Sequence, residues 1–104
     1  MSVIELEDVQ AKALAALAAV DGDAAASPVL RAVVQEFANK AAKAIKLVDG
    51  DRAWEVVVEL EQAGDSAKAG AEADPAASGS TTAAVQAAHL AICMLKAGFK
   101  PAVN

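Results

Sequence analysis

Ser27-Pro28-Val29-Leu30-Arg31-Ala32-Val33-Val34-Gln35-Glu36-Phe37-Ala38-Asn39-Lys40-Ala41-Ala42-Lys43-Ala44-Ile45-Lys46-Leu47-Val48-Asp49-Gly50-Asp51 decides how the chain is read. Serine caps a helix start, and proline is preorganised for the first helical position. Leu30, Val33, Val34, Phe37, Ala41, Ala44, Ile45 and Val48 then recur on one helical face. Gln35, Asn39, Lys43 and Lys46 lie opposite. Asp49-Gly50 ends the helix, because glycine takes the left-handed conformation that terminates one, and Asp51 is placed to cap the next.

The same three letters, Asp21-Gly22-Asp23, follow an earlier alanine-rich segment. Residues 4 to 19 read as a first helix, with Leu6, Val9, Ala13, Ala16, Leu17 and Val20 on one face. Glu5, Glu7 and Asp8 sit near its first turn, where the macrodipole favours negative charge. The two stops recur 28 residues apart, but the stretches after them do not match, so no repeat is read.

Residues 52 to 62 admit two readings. Trp54, Val57, Val58 and Glu61 fit a helix, whereas Trp54, Val56, Val58 and Leu60 fit an alternating strand. Helix is preferred because a lone strand would have no partner. Residues 63–79 hold three of the six glycines and no large apolar residue, and they read as a mobile, low-complexity loop. A last helix starts at a cap of Ser80, Thr81 or Thr82 and runs to Ala97. Val85, Ala88, Ile92 and Leu95 form its core face. Gly98 stops it, and Pro101 prevents continuation.

The expected fold is therefore all-α: a single domain over residues 1–104, built as a bundle of about four mostly antiparallel helical segments. The alternative is α+β, with one short strand near residues 54–60. Alanine supplies 29 of the 104 residues, and there is no tyrosine. Such a core permits close helix approach but gives little area per side chain, and it makes a lined ligand pocket improbable.

Net charge is −5, which argues against binding nucleic acid or an anionic membrane. Lys40, Lys43 and Lys46 form a basic row, but a hairpin about Gly50 would bring Glu55 and Glu59 alongside it. The start of the chain is acidic and lacks an apolar signal region. The lone cysteine permits no internal disulfide. Both features fit a soluble cytoplasmic protein.

His89 and Cys93, the only histidine and cysteine, are four residues apart and share a helical face. Both are competent zinc or copper ligands, but two donors do not complete a site, and the nearest carboxylates fall in the expected loop. The plainer reading makes Cys93 a small buried hydrophobe and His89 a boundary residue. Histidine phosphotransfer lacks the closely following lysine and glycine, since Leu90, Ala91 and Ile92 come next. No nucleophile elbow, phosphate loop or dinucleotide fingerprint occurs. The chain therefore reads as non-enzymatic, with no cofactor.

The last helix carries the functional expectation. Between Ala83 and Leu95 only Gln86 and His89 are polar, leaving Ala84, Ala87, Leu90, Ala91 and Met94 beyond the core face. A helix apolar on most sides is either central or at an interface. Leu90, Met94 and Phe99 are the expected contact residues of an adaptor that pairs with itself as a homodimer, or with one other protein. Two alternatives remain: a metal- or redox-sensing module using His89 and Cys93, and a small acidic inhibitor or immunity-type protein.

Overall fold

The computed structural model describes residues 3–99, so Pro101 lies outside the described residues. Four helices follow one another: α1 (Val3–Asp21), α2 (Pro28–Leu47), α3 (Ala53–Glu72) and α4 (Gly79–Gly98). Each packs on its neighbours in chain order and α4 closes back on α1, giving an antiparallel four-helix arrangement. The all-α expectation holds, and no strand occurs among the described residues. Trp54 to Leu60 is helical. Val56, Val57 and Leu60 are buried, whereas alternation would have set Val57 opposite them.

The core is small-residue packing around a few large side chains. Phe37, Leu6, Leu30, Leu60 and Ile92 are fully buried, and Ala13, Ala16, Ala41, Ala44, Ala67 and Ala88 fill the spaces between. This explains the main correction to the sequence reading. Residues 63–72, expected in a loop, are the second half of α3, and the connection is short, from Ala73 to Ser78. Their low complexity is a packing requirement. A Cβ on Gly64 would lie 3.1 Å from Ile92 Cγ2 and 3.3 Å from Phe37 Cζ, and one on Gly70 would lie 2.9 Å from Val33 Cγ2. These glycines let α3 approach its neighbours, a gain that outweighs their low helix propensity.

Local termini differ in detail from expectation. No glycine among the described residues has a positive φ, so Gly22 and Gly50 do not act as left-handed caps. Arg52, not Asp51, precedes α3, without a side-chain cap. Ser27 does cap α2, accepting from Leu30 N at 3.1 Å. Ser78, upstream of the expected Ser80, Thr81 or Thr82, caps α4 by accepting from Thr81 N at 3.2 Å.

Those two serines belong to an internal repeat that the 28-residue comparison missed. The offset is 51 residues: Asp23-x-Ala25-Ala26-Ser27 returns as Asp74-x-Ala76-Ala77-Ser78, and Ala32-x-Val34-Gln35 as Ala83-x-Val85-Gln86. Buried positions follow the same offset, pairing Leu6 with Val57, Val9 with Leu60, Phe37 with Ala88 and Ala41 with Ile92. The halves are joined reciprocally. Asp23 Oδ2 accepts from Ser78 N and Asp74 Oδ2 from Ser27 N, each at 2.8 Å. Each carboxylate also accepts within its own loop, from Ala25 N and Ala76 N respectively. Such exchange of identical bonds is what two-fold related units make. It also sets a negative charge at the N-terminus of α2 and of α4.

Candidate functional site

The fold places α4 at a corner of the bundle, in contact with α1 and α3. Its core face is the expected one: Val85, Ala88, Ile92 and Leu95 are buried. Two other faces carry the candidate residues, one toward α3 and one toward α1.

On the α3 side, His89 Nε2 lies 2.7 Å from Asp65 Oδ1 and 3.4 Å from Cys93 Sγ. One ligating atom from each of the three residues falls within 4.8 Å of the others. His89 and Cys93 are brought together by the four-residue spacing of α4. Asp65 arrives from α3, and the sequence reading missed it because it assigned Asp65 to a loop. The only available signal was the row Ala63, Ala67 and Ala71, which continues the buried stripe of α3.

This cluster is not a nucleophilic relay. A relay places the acid on one ring nitrogen and the nucleophile on the other. Here the carboxylate and the sulfur both approach Nε2, and Nδ1 is 3.9 Å from the sulfur. The Cys93 thiol is pushed above its ordinary value, first by burial and then by the charges of Glu61 and Asp65. A protonated thiol is a poor nucleophile. Oxygen, nitrogen and sulfur donors within 4.8 Å of one another are instead suited to being drawn onto a metal ion.

On the α1 side, Met94 is 67% exposed and Ile4 of α1 is 75% exposed, and Leu90, one turn before Met94, is 59% exposed. A groove runs between the two helices, lined by Ile4, Glu5, Asp8 and Lys12 from α1 and by Ala91 and Met94 from α4. The 51-residue offset supplies an internal comparison. The equivalent seam, between α3 and α2, has Glu59 in place of Asp8, and Lys40 and Lys43 in place of Ala91 and Met94. There Lys40 and Lys43 reach Glu59 at 3.4 and 4.0 Å and bridge the helices, as their spacing anticipated. Glu55 pairs with Arg52 instead. In the α1/α4 seam, Asp8 turns to Lys12 on its own helix at 2.9 Å, and the α4 side is apolar.

Phe99, expected beside Leu90 and Met94, is elsewhere. Its ring stacks on Trp54 of α3 with centroids 5.3 Å apart. Lys96 lies over the same tryptophan and pairs with Glu61 at 2.7 Å. Phe99 therefore covers the end of the α3/α4 seam and does not extend the Leu90–Met94 face.

No helix among the described residues is long and apolar enough to cross a membrane. Comparison with protein-family models, curated proteins and solved structures gave no match.

Proposed function

We propose that this protein is a non-enzymatic interaction module, structural or adaptor in role, that pairs with a second copy of itself through the α1/α4 face. The observation that carries the reading is the difference between two equivalent seams. Where α2 and α3 meet, two lysines and a glutamate span the helices. Where α4 and α1 meet, Ala91 and Met94 replace the lysines, the exposed side chains of Ile4 and Met94 line an open groove, and exposed Leu90 lies one turn before Met94 on α4.

A self-partner is favoured by the composition of that face. It carries apolar side chains beside both signs of charge, from Glu5, Asp8 and Lys12, so a two-fold copy can meet it with apolar on apolar and acid on base. Alanines along α4 let backbones approach, and Met94 is an adaptable anchor. Light scattering across a wide concentration range tests the proposal. The expected species has twice the chain mass of 10.4 kDa. Leu90→Glu with Met94→Glu converts it to a folded monomer. A wild-type monomer at all concentrations overturns self-association, and a double variant that remains dimeric overturns this face as the contact.

A further inference from the structure

We propose that Asp65, His89 and Cys93 form a binding site for a late first-row divalent metal ion of the zinc type, at the seam of α3 and α4. The three donor atoms converge from two helices, all within 4.8 Å. Donors bound to one tetrahedral ion at zinc bond lengths sit about 3.3–3.6 Å apart. The Cys93–His89 separation of 3.4 Å has that length, but Sγ, 3.9 Å from Nδ1, lies over the ring, so a turn of the imidazole or of the Cys93 side chain is needed to bring both donors onto one ion. Asp65 Oδ1 is closer to His89 Nε2, at 2.7 Å, because it is hydrogen-bonded there. Its side chain is 60% exposed and has room to rotate outward by the small amount an ion requires.

Three further observations support the site. The chain's one histidine and one cysteine both take part. The positions that correspond by the 51-residue offset are Leu14, Ala38 and Ala42, none of them a donor, so the cluster is not among the features the two halves share. The nearby cations have their own partners: Lys96 is held by Glu61 at 2.7 Å and Lys68 by Glu72 at 3.0 Å.

A set of one thiolate, one imidazole and one carboxylate selects zinc, cobalt or nickel over magnesium or calcium, which prefer oxygen alone. Three protein ligands leave a fourth position for water or an incoming group, the open arrangement of non-structural zinc sites. Binding replaces the thiol proton with the metal, and the proton passes to solvent.

The test is titration of the reduced full chain with Co2+, read by thiolate-to-cobalt charge-transfer absorption and the intense d–d bands of tetrahedral cobalt. Displacement by Zn2+ and equilibrium dialysis then give affinity and stoichiometry. One ion per chain is expected. Cys93→Ser is expected to remove the charge-transfer band. His89→Ala and Asp65→Ala are each expected to weaken zinc binding by at least ~10–100-fold, with far-UV circular dichroism showing that helicity is retained. Absence of the band at millimolar Co2+ overturns the site. So does zinc affinity unchanged in Asp65→Ala, or a stoichiometry of half an ion per chain.

Discussion

Gly64 offers a direct test of the packing that sets α3 in place. Alanine at a helix-interior glycine ordinarily adds about 1 kcal/mol of stability. Here the new methyl would sit 3.1 Å from Ile92 Cγ2, 3.3 Å from Phe37 Cζ and 3.5 Å from Phe37 Cε1. Phe37 and Ile92 are fully buried, so neither has free space to retreat into. Overpacking of this kind costs about 1–3 kcal/mol. The two effects oppose, and the packing cost exceeds the propensity gain, leaving Gly64→Ala destabilised by about 1 kcal/mol. Phe37→Leu removes the two ring contacts and lets Ile92 shift. In that background, Gly64→Ala is expected to become stabilising, approaching ~1 kcal/mol. The coupling between the sites is therefore about 1–2 kcal/mol, within the range for residues in contact. Urea unfolding of the four proteins, followed by far-UV circular dichroism, reads this as shifts in midpoint at constant slope. If Gly64→Ala stabilises the wild type by the full ~1 kcal/mol, the close approach of α2, α3 and α4 at Gly64 is refuted.

Ser78→Ala and Ser27→Ala should each cost about 1 kcal/mol in urea unfolding through loss of equivalent caps. A neutral result at either would refute the capping role. Asp23 titrates below its ordinary value of 3.8, chiefly because its carboxylate accepts from the Ser78 N–H and the Thr81 hydroxyl. A carboxyl depressed on folding adds stability above pH 3.8 that is lost as pH falls through its lower folded value. Asp23→Asn should therefore flatten the acid limb of the stability–pH curve, and an unchanged limb would refute the linkage. Cys93 in the metal-free protein should alkylate with a pH–rate midpoint above the ordinary thiol value of 9.0, because burial and nearby carboxylates disfavour the thiolate. A midpoint below that value would refute the assignment.

The sequence exposed the fold where large apolar residues mark the period, and concealed it where alanine and glycine do. The stripe from Leu30 to Val48 needs only counting, and α2 ends within a residue of the reading. The second half of α3 has no residue larger than lysine or glutamate, and its buried positions are Ala63, Gly64, Ala67 and Ala71. Hydrophobic periodicity is faint there, since alanine contributes little contrast and glycine none. What makes those residues helical is Phe37, Val33 and Ile92 on other helices, which no local window contains. Losing that half-helix also lost Asp65, so the metal reading stopped at two ligands. Leu90 and Met94 were legible as surplus apolar residues on α4. Phe99 was not, because its position is decided by Trp54 across the α3/α4 seam.

The internal repeat separates what the scaffold requires from what has been added to it. Reciprocal Asp–Ser bonds, paired caps and interior positions recur at the 51-residue offset with compensating sizes, as where Phe37 and Ala41 in one half answer Ala88 and Ile92 in the other. Either pairing fills the same layer, so volume is preserved while residue identity is not, which is what close packing demands. That exchange also hid the repeat from direct comparison. The positions away from that layer do not compensate. Buried Ala38, half-buried Ala42 and exposed Asn39 and Lys43 on α2 correspond to His89, Cys93, Leu90 and Met94 on α4. A helix with alanine, asparagine and lysine there closes its seam with ion pairs and folds. The shared repeat therefore does not account for the donors and exposed apolar side chains of α4. Both proposed sites fall on this one asymmetric helix, facing α3 and α1 respectively, where substitution tests binding with the least disturbance to the core.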